Sequence, residues 1–344
     1  MFTTDIIDLK QDFDNGLNYA AALIKNGDLV AFPTETVYGL GANALNPLAV
    51  SDIFKVKGRP NDNPLIVHVN SIEFAKEFAY INETAIKLFK AFSPGPLTLV
   101  LPKKEITPSC ITAGLDTVAI RIPNNKYALE LIQRSKKPIA APSANLSGQP
   151  SPTNANHVYK DLNTKIKLIL DGGQCSFGVE STVLSLANEP TILRPGSITK
   201  EMLEKYISTV NVDKNVLNHL ETKKVASPGM KYKHYAPKAN ATIFDGDYII
   251  QSKKIIEMYD KLISENKKVL IFASEQTKNL YGERNFKIMG NRQEPQTICS
   301  SFFALLRQTD DEQYDEILIE SIETKGEGLA FMNRALRAAS FNVK

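Results

Sequence analysis

The sequence predicts an α/β protein of two domains, and three observations carry that reading. Short apolar runs of strand length alternate with segments whose apolar residues recur at helical spacing. The chain has 344 residues, more than the ~250–300 that a single core ordinarily supports. After about residue 240 the pattern becomes a plain strand–helix alternation, the signature of a small parallel sheet. The expected division is a catalytic domain over 1–210, a connector over 211–240 and a second domain over 241–344.

In chain order, Asn15 to Asn26 carries Leu17, Ala20, Ala21 and Ile24 at helical spacing, and Gly27 stops it. Leu29 to Pro33 reads as a strand running into a turn that places hydroxyls such as Thr36 at the strand end. Gly39-x-Gly41-x-x-Ala44 formally matches a dinucleotide fingerprint, but the next helix starts only at Asn46-Pro47, so a nicotinamide site is rejected. That helix, with Leu48, Val50, Ile53 and Phe54 inward, delivers Lys57 and Arg59. Pro64 to Val69 is a strand, and Ser71 and Asn82 cap two further helices. Leu97 to Leu101 and Thr117 to Pro123 read as strands, and Tyr127 to Lys137 as a helix. Pro138 to Ala141 and Ile166 to Leu170 are strands; Glu180 to Leu186 and Thr191 to Gly196 form a strand pair. A helix from Lys200 to Ile207 ends the first domain. Beyond the connector, strands at 241–244, 268–273, 286–289 and 316–320 alternate with helices at 252–265, 296–308 and 328–339.

Composition narrows the class. The 41 basic and 38 acidic side chains leave a net charge of +3, too balanced for a nucleic-acid coat. Cys110, Cys175 and Cys299 are scattered, which argues against a disulfide framework or a zinc site and for a reducing compartment. The first residues lack the charge and apolar pattern of a secretory signal, so a cytoplasmic enzyme is expected.

Several strand ends carry groups that bind anions. Lys57 and Arg59 either satisfy carbonyls at a helix C-terminus or, near the surface, face a polyanion; the run Asn61-Asp62-Asn63 and strand-terminal His68 favour the second reading. Arg121 interrupts an otherwise apolar strand. It either faces water from a sheet edge or, unpaired within the chain, awaits an anionic partner. Pro142-Ser-Ala-Asn-Leu-Ser-Gly148 lies where ligands of α/β sheets gather, though a solvated turn would have the same composition. Arg194 closes another apolar run. No phosphate loop, His-Glu-x-x-His or Gly-x-Ser-x-Gly elbow is present. Thr, Lys, Arg, His, Ser and Asn recur without a nucleophile–base pair, which suits an enzyme positioning an anionic nucleotide beside a small polar substrate.

Pro33-Thr-Glu-Thr-Val-Tyr-Gly-Leu40, Lys57-x-Arg59, Asn63-Pro-Leu-Ile-Val-His68, Pro142-Ser-x-Asn145 with Ser147-Gly148, Glu180-Ser-Thr-Val183 and Leu193-Arg-Pro-Gly196 together resemble the L-threonylcarbamoyladenylate synthases, the YrdC-type proteins. The match spans about residues 10 to 208, and Ser227 to Pro237 with the tail resembles the family's long form. The resemblance implies an open twisted mixed sheet with a concave positive face, then a Rossmann-like domain. It implies synthesis of threonylcarbamoyl-AMP and pyrophosphate from L-threonine, bicarbonate (or carbon dioxide) and ATP, with Mg²⁺ on the phosphates. The product feeds the tRNA threonylcarbamoyl-transferase machinery. By matching positions, threonine lies against Thr36, His68, Arg121, Ser143 and Ser181. ATP contacts Lys57, Arg59, Asn63, Thr117, Asn145, Thr153, Arg194 and Tyr235, Lys57 and Arg59 being catalytic.

Two rival readings are a double-stranded RNA or tRNA binder and a carbamoyl-adenylate domain like that of hydrogenase-maturation proteins. The first has the basic segment 222–240, with five lysines and no acid; the second lacks its zinc-finger cysteines here. In the connector, Ala226 to Pro237 carries Met230, Tyr232 and Tyr235 among lysines, with Gly229 as a hinge. These aromatics either cover the nucleotide as a lid or dock the second domain.

Overall fold

Residues 3–60, 63–218 and 235–344 are described by a computed structural model. The connector residues Ser227, Gly229, Met230, Lys231, Tyr232 and Lys233, and Asn61 and Asp62, lie outside the described residues. The chain divides into two compact units, and each is taken by itself.

The strands of the first unit are β1 (Asp5–Asp8), β2 (Val30–Phe32), β3 (Gly39–Asn43), β4 (Ile66–His68), β5 (Leu97–Pro102) and β6 (Thr117–Arg121). They continue as β7 (Ile139–Ala140), β8 (Leu168–Asp171), β9 (Thr182–Ser185), β10 (Thr191–Arg194) and β11 (Asn211–Val212). All join one mixed sheet in the order β1-β8-β2-β3-β7-β4-β6-β5-β9-β10-β11. Parallel pairs such as β4 with β6 and β5 with β9 alternate with antiparallel ones such as β5 with β6. The main core packs Leu40, Val50, Ile53, Val67, Leu88, Phe89, Leu99, Ile120 and Ile169 against helices.

Local chemistry sets the helix ends. Asn46 Oδ1 accepts from Leu48 and Ala49 N–H, and Gly58 closes the helix Pro47–Lys57 in the left-handed region, φ 63°. Ser71 and Asn82 cap their helices as the sequence predicts. Leu48 does not point inward; it is 77% exposed. The buried stripe runs through Ala49, Val50, Ile53, Phe54 and Lys57. At 100° per residue Leu48 falls on the opposite side, with Ser51, Asp52 and Lys55. The segment expected as a helix to Ile207 is α-helical only over Lys200–Leu203, then continues as turns with both i→i+3 and i→i+4 bonds. The sequence predicts a turn where β3 begins, because small residues carry little strand signal. Pairing with β2 on one side and β7 on the other makes it a strand.

The second unit holds β12 (Asn240–Phe244), β13 (Val269–Ser274), β14 (Phe286–Gly290) and β15 (Glu316–Glu320), all parallel, in the order β12-β15-β13-β14. Helices Tyr248–Ser264, Pro295–Asp311 and Gly328–Ala338 alternate with them, as predicted. Glu320, fully buried at the end of β15, gathers the cluster at the carboxyl ends. It accepts from the Ser274 amide at 3.1 Å and hydroxyl at 2.8 Å, Tyr281 at 2.6 Å, Arg292 at 2.6 Å and the Thr277 hydroxyl. No helix among the described residues is long and apolar enough to cross a membrane.

Removing one partner of such a buried pair strands the other. Glu320→Leu is expected to destabilise the second unit by ~3–5 kcal/mol, read as a fall in its urea midpoint.

Candidate active site

The register of five strands builds a row of polar side chains across the first sheet. His68 of β4 pairs with Arg121 of β6, Arg121 with Thr98 of β5, Thr98 with Val183 of β9, and Val183 with Arg194 of β10. Register partners lie about 5 Å apart and share a face. Along the same strands, Ile66, Val100, Ala119 and Leu193 join Val183, the row's one apolar member, in a small apolar patch. Two arginines and a histidine far apart in sequence therefore converge by pairing alone.

Arg121 is neither at an edge nor unpaired, in contrast to the sequence expectation. Its strand is flanked by β4 and β5, and the residue is 4% exposed. Nη2 lies 2.8 Å from Glu35 Oε1, Nη1 donates to Thr36 Oγ1 at 3.0 Å, and Nε donates to the Gly95 carbonyl at 3.3 Å. Thr34 Oγ1 donates to the Val37 carbonyl and so can only accept in its 2.8 Å contact with Thr36 Oγ1. The Thr36 hydroxyl thus points its proton at Thr34 and a lone pair at the guanidinium. The sequence does not single out Glu35; an acid beside a motif threonine is the signal it offers.

Ser181 Oγ shares a 2.7 Å bond with Thr98 and accepts from Arg194 Nη2 at 3.2 Å; Arg194 Nε donates to the Ser181 carbonyl at 3.1 Å. A register shift between Ile192 and Arg194 aims the arginine here. Gly196 is required by close approach: a Cβ there would sit 2.4 Å from the Thr182 nitrogen.

Lys57 and Arg59 differ. Lys57 is buried rather than near the surface, and its ammonium donates to the Ser143 and Asn145 carbonyls, each at 2.6 Å. The helix end thereby fastens the polar loop after β7, where Ser143 Oγ donates to Asn145 Oδ1. Gly39 bridges Ser143, which ties the loop to β3. The Arg59 guanidinium is half-buried, 5.8 Å from the centre of the Phe54 ring.

The remaining expected residues are spread more widely. Asn63 is buried, and neither polar atom of its amide has a hydrogen-bond partner. Thr117 begins β6, four residues from Arg121, hence roughly 13 Å along the strand. Thr153 is buried, its carbonyl accepting the Cys175 amide at 2.9 Å. Tyr235 belongs to the second unit, its ring centre 4.9 Å from that of Phe303. Among the described residues no group of three or more His, Cys, Asp or Glu could hold a metal ion.

Electrostatics suppress two groups. Burial, then the Arg121 charge, lowers the His68 pKa to about 3, so its imidazole is neutral near pH 7; Nδ1 is buried without a hydrogen-bond partner. Burial, then the nearby Glu35, pushes the Cys175 thiol up to about 12, which keeps it protonated near neutral pH.

Comparison with known proteins decides the family. The Sua5/YciO/YrdC family model, described as telomere recombination, matches residues 22–196. A second model, described as the C-terminal domain of threonylcarbamoyl-AMP synthase, matches 198–340. The threonylcarbamoyl-AMP synthase of Pyrococcus abyssi is 46% identical over 99% of both chains. The chain belongs to the threonylcarbamoyl-AMP synthase family. The Bacillus subtilis threonylcarbamoyl-AMP synthase is 45% identical, covering 98% of this chain and 97% of its own. The crystal structure of P. abyssi Sua5 complexed with L-threonine superposes with a TM-score of 0.92, at 44% identity and 99% coverage of each chain. Both the mixed sheet and the parallel second sheet agree with the fold expected from the sequence, and the binding-module reading is not favoured.

His68 carries a pH prediction. A folded pKa below the unfolded ~6.5 means that the unfolded chain takes up the proton first, so stability falls as pH drops from about 6.5 toward 3. Between pH 6.5 and 5 the wild type should lose ~1–2 kcal/mol more than His68→Gln, read by urea midpoints at both pH values.

Proposed function

We infer that this chain forms threonylcarbamoyl-AMP and pyrophosphate from L-threonine, bicarbonate (or carbon dioxide) and ATP. The observation that carries this reading is the polar row itself. Buried polar groups in proteins are nearly always hydrogen-bonded, yet Glu35 meets only the Arg121 charge, and His68 Nδ1 and the buried Asn63 amide have no hydrogen-bond partner. Such groups are set to bind.

In this reading the threonine carboxylate meets Arg121, whose planar fork matches a carboxylate. Thr36, Ser143, Ser181 and neutral His68 surround the remainder. The ammonium loses a proton to solvent, and the neutral amine adds to carbon dioxide with loss of a second proton, forming a carbamate. A carbamate oxygen then attacks the α-phosphorus in line with departing pyrophosphate, so positioning and charge carry the catalysis. Arg59 and Arg194 offset the phosphate charge. Lys57 contributes a buried positive field and holds the Ser143–Asn145 loop in place, while Asn63, Thr117, Asn145 and Thr153 are further ATP contacts in this reading. The described residues offer no cluster that would hold a metal, so Mg²⁺ would be carried by the nucleotide and would offset phosphate charge there. The labile product passes to a tRNA threonylcarbamoyl-transferase in the cytoplasm.

The direct test is mass spectrometry of the purified protein incubated with ATP, bicarbonate and L-threonine. Threonylcarbamoyl-AMP is the expected product; ATP hydrolysis without it would overturn the reading. Arg59→Ala should slow pyrophosphate release by ~10²–10³-fold, the usual effect of losing one charge-stabilising donor, with the fold retained by circular dichroism. Arg121→Leu should abolish threonine binding in calorimetry while ATP still binds.

A further inference from the structure

Glu35 is a buried charge with no part in holding either the substrate carboxylate or the phosphates. It stands in the turn between β2 and β3, its side chain 5% exposed and 2.8 Å from Arg121. Its main chain is tied down: the carbonyl accepts from the Phe177 amide at 3.0 Å and from the Ser176 hydroxyl at 3.2 Å. The head group is the opposite case. Both carboxylate oxygens are closed to solvent; Oε1 faces Arg121 Nη2 at 2.8 Å without a well-aligned hydrogen bond, and Oε2 has no hydrogen-bond partner.

A buried ion pair is poor evidence of stabilisation, because desolvation of both charges offsets their attraction unless further hydrogen bonds complete the site. Here those bonds are missing on the acid. The pair does match a zwitterion. In an α-amino acid the ammonium nitrogen lies about 2.5 Å from the carboxyl carbon, as standard bond lengths require. A guanidinium and a carboxylate in contact present the same charges in reverse order. We propose that Glu35 recognises the α-ammonium group of the amino-acid substrate while Arg121 takes its carboxylate. This rests on the reading that Arg121 is the carboxylate receptor. Before substrate arrives, the two residues neutralise each other. On binding, each gains an opposite charge from the ligand, and the Glu35 oxygens acquire the donors they lack. A carboxylic acid without the amine leaves Glu35 buried and repels it, so the site discriminates by an unpaired charge as well as by a missing bond.

Calorimetric titration of the full-length protein with L-threonine and with (R)-3-hydroxybutanoate, the same skeleton without the amine, tests this. The wild type should bind threonine about 10–100-fold tighter, the worth of a charged hydrogen bond. In Glu35→Gln that ratio should collapse to within about threefold, with 3-hydroxybutanoate binding unchanged or tighter because Arg121 is released. A purely structural role would weaken both ligands together, so a ratio that survives in Glu35→Gln overturns the assignment. Should that variant fail to fold, Glu35→Asp keeps the charge but withdraws it by one methylene, and a wild-type ratio there overturns the assignment equally. Equal affinities in the wild type would also overturn it. Absence of any threonine binding to the wild type would instead overturn the functional reading, and the role of Glu35 with it.

Discussion

A guanidinium buried in the middle of a sheet is the constraint on which the first unit turns. Arg121 sits on a central strand and is almost wholly excluded from water. A lone charge there would be untenable. The chain answers with Glu35 and Thr36 from the β2–β3 turn and the Gly95 carbonyl from the loop before β5. Those contacts fix the turn over the strand ends. With the turn in place, Thr36 has one orientation and the site has a floor. The polar row is therefore less a set of added functional groups than the way a charged strand position is made tolerable.

The second unit solves a related problem in another way. Glu320 is also buried at a strand end, but each of its oxygens is saturated by hydroxyls, an amide and Arg292. A saturated network rigidifies and specifies a packing, whereas a half-satisfied one invites a ligand. Two buried carboxylates in one chain thus differ in kind, and the difference is visible in their donors alone.

Much of this was legible in the sequence where local physics decides. Capping by Asn46, Ser71 and Asn82, the left-handed stop at Gly58 and the alternation of the second unit follow from side chains a few residues apart. What was not legible is what pairing across the sheet decides. β3 is held by two neighbours rather than by strand formers, and β1 is held by β8, more than a hundred residues away. Lys57 read as a surface cation because nothing near it in sequence shows that the Ser143 and Asn145 carbonyls will close over it. Arg121 read as waiting for a partner because Glu35 is 86 positions earlier. The motif residues were found; their mutual contacts were not.

The row across the sheet has a consequence for synthesis of the chain itself. Its members come from the β2–β3 turn, then β4, β5 and β6, then Ser181, and last Arg194 at the end of β10. Six of the ten neighbouring strand pairs in the sheet are not consecutive in sequence. The contacts of Arg121 with Thr36, Lys57 with Ser143 and Thr98 with Ser181 each close loops of more than 80 residues, which is slow. A nascent chain emerging from its N-terminus has no partial version of this site to offer. Until residues near 194 are free to pair, Ser181 lacks its Arg194 donors and the row across the sheet is incomplete. Competence to bind should therefore arrive late and in one step, so that incomplete chains neither sequester ATP nor release an unstable anhydride.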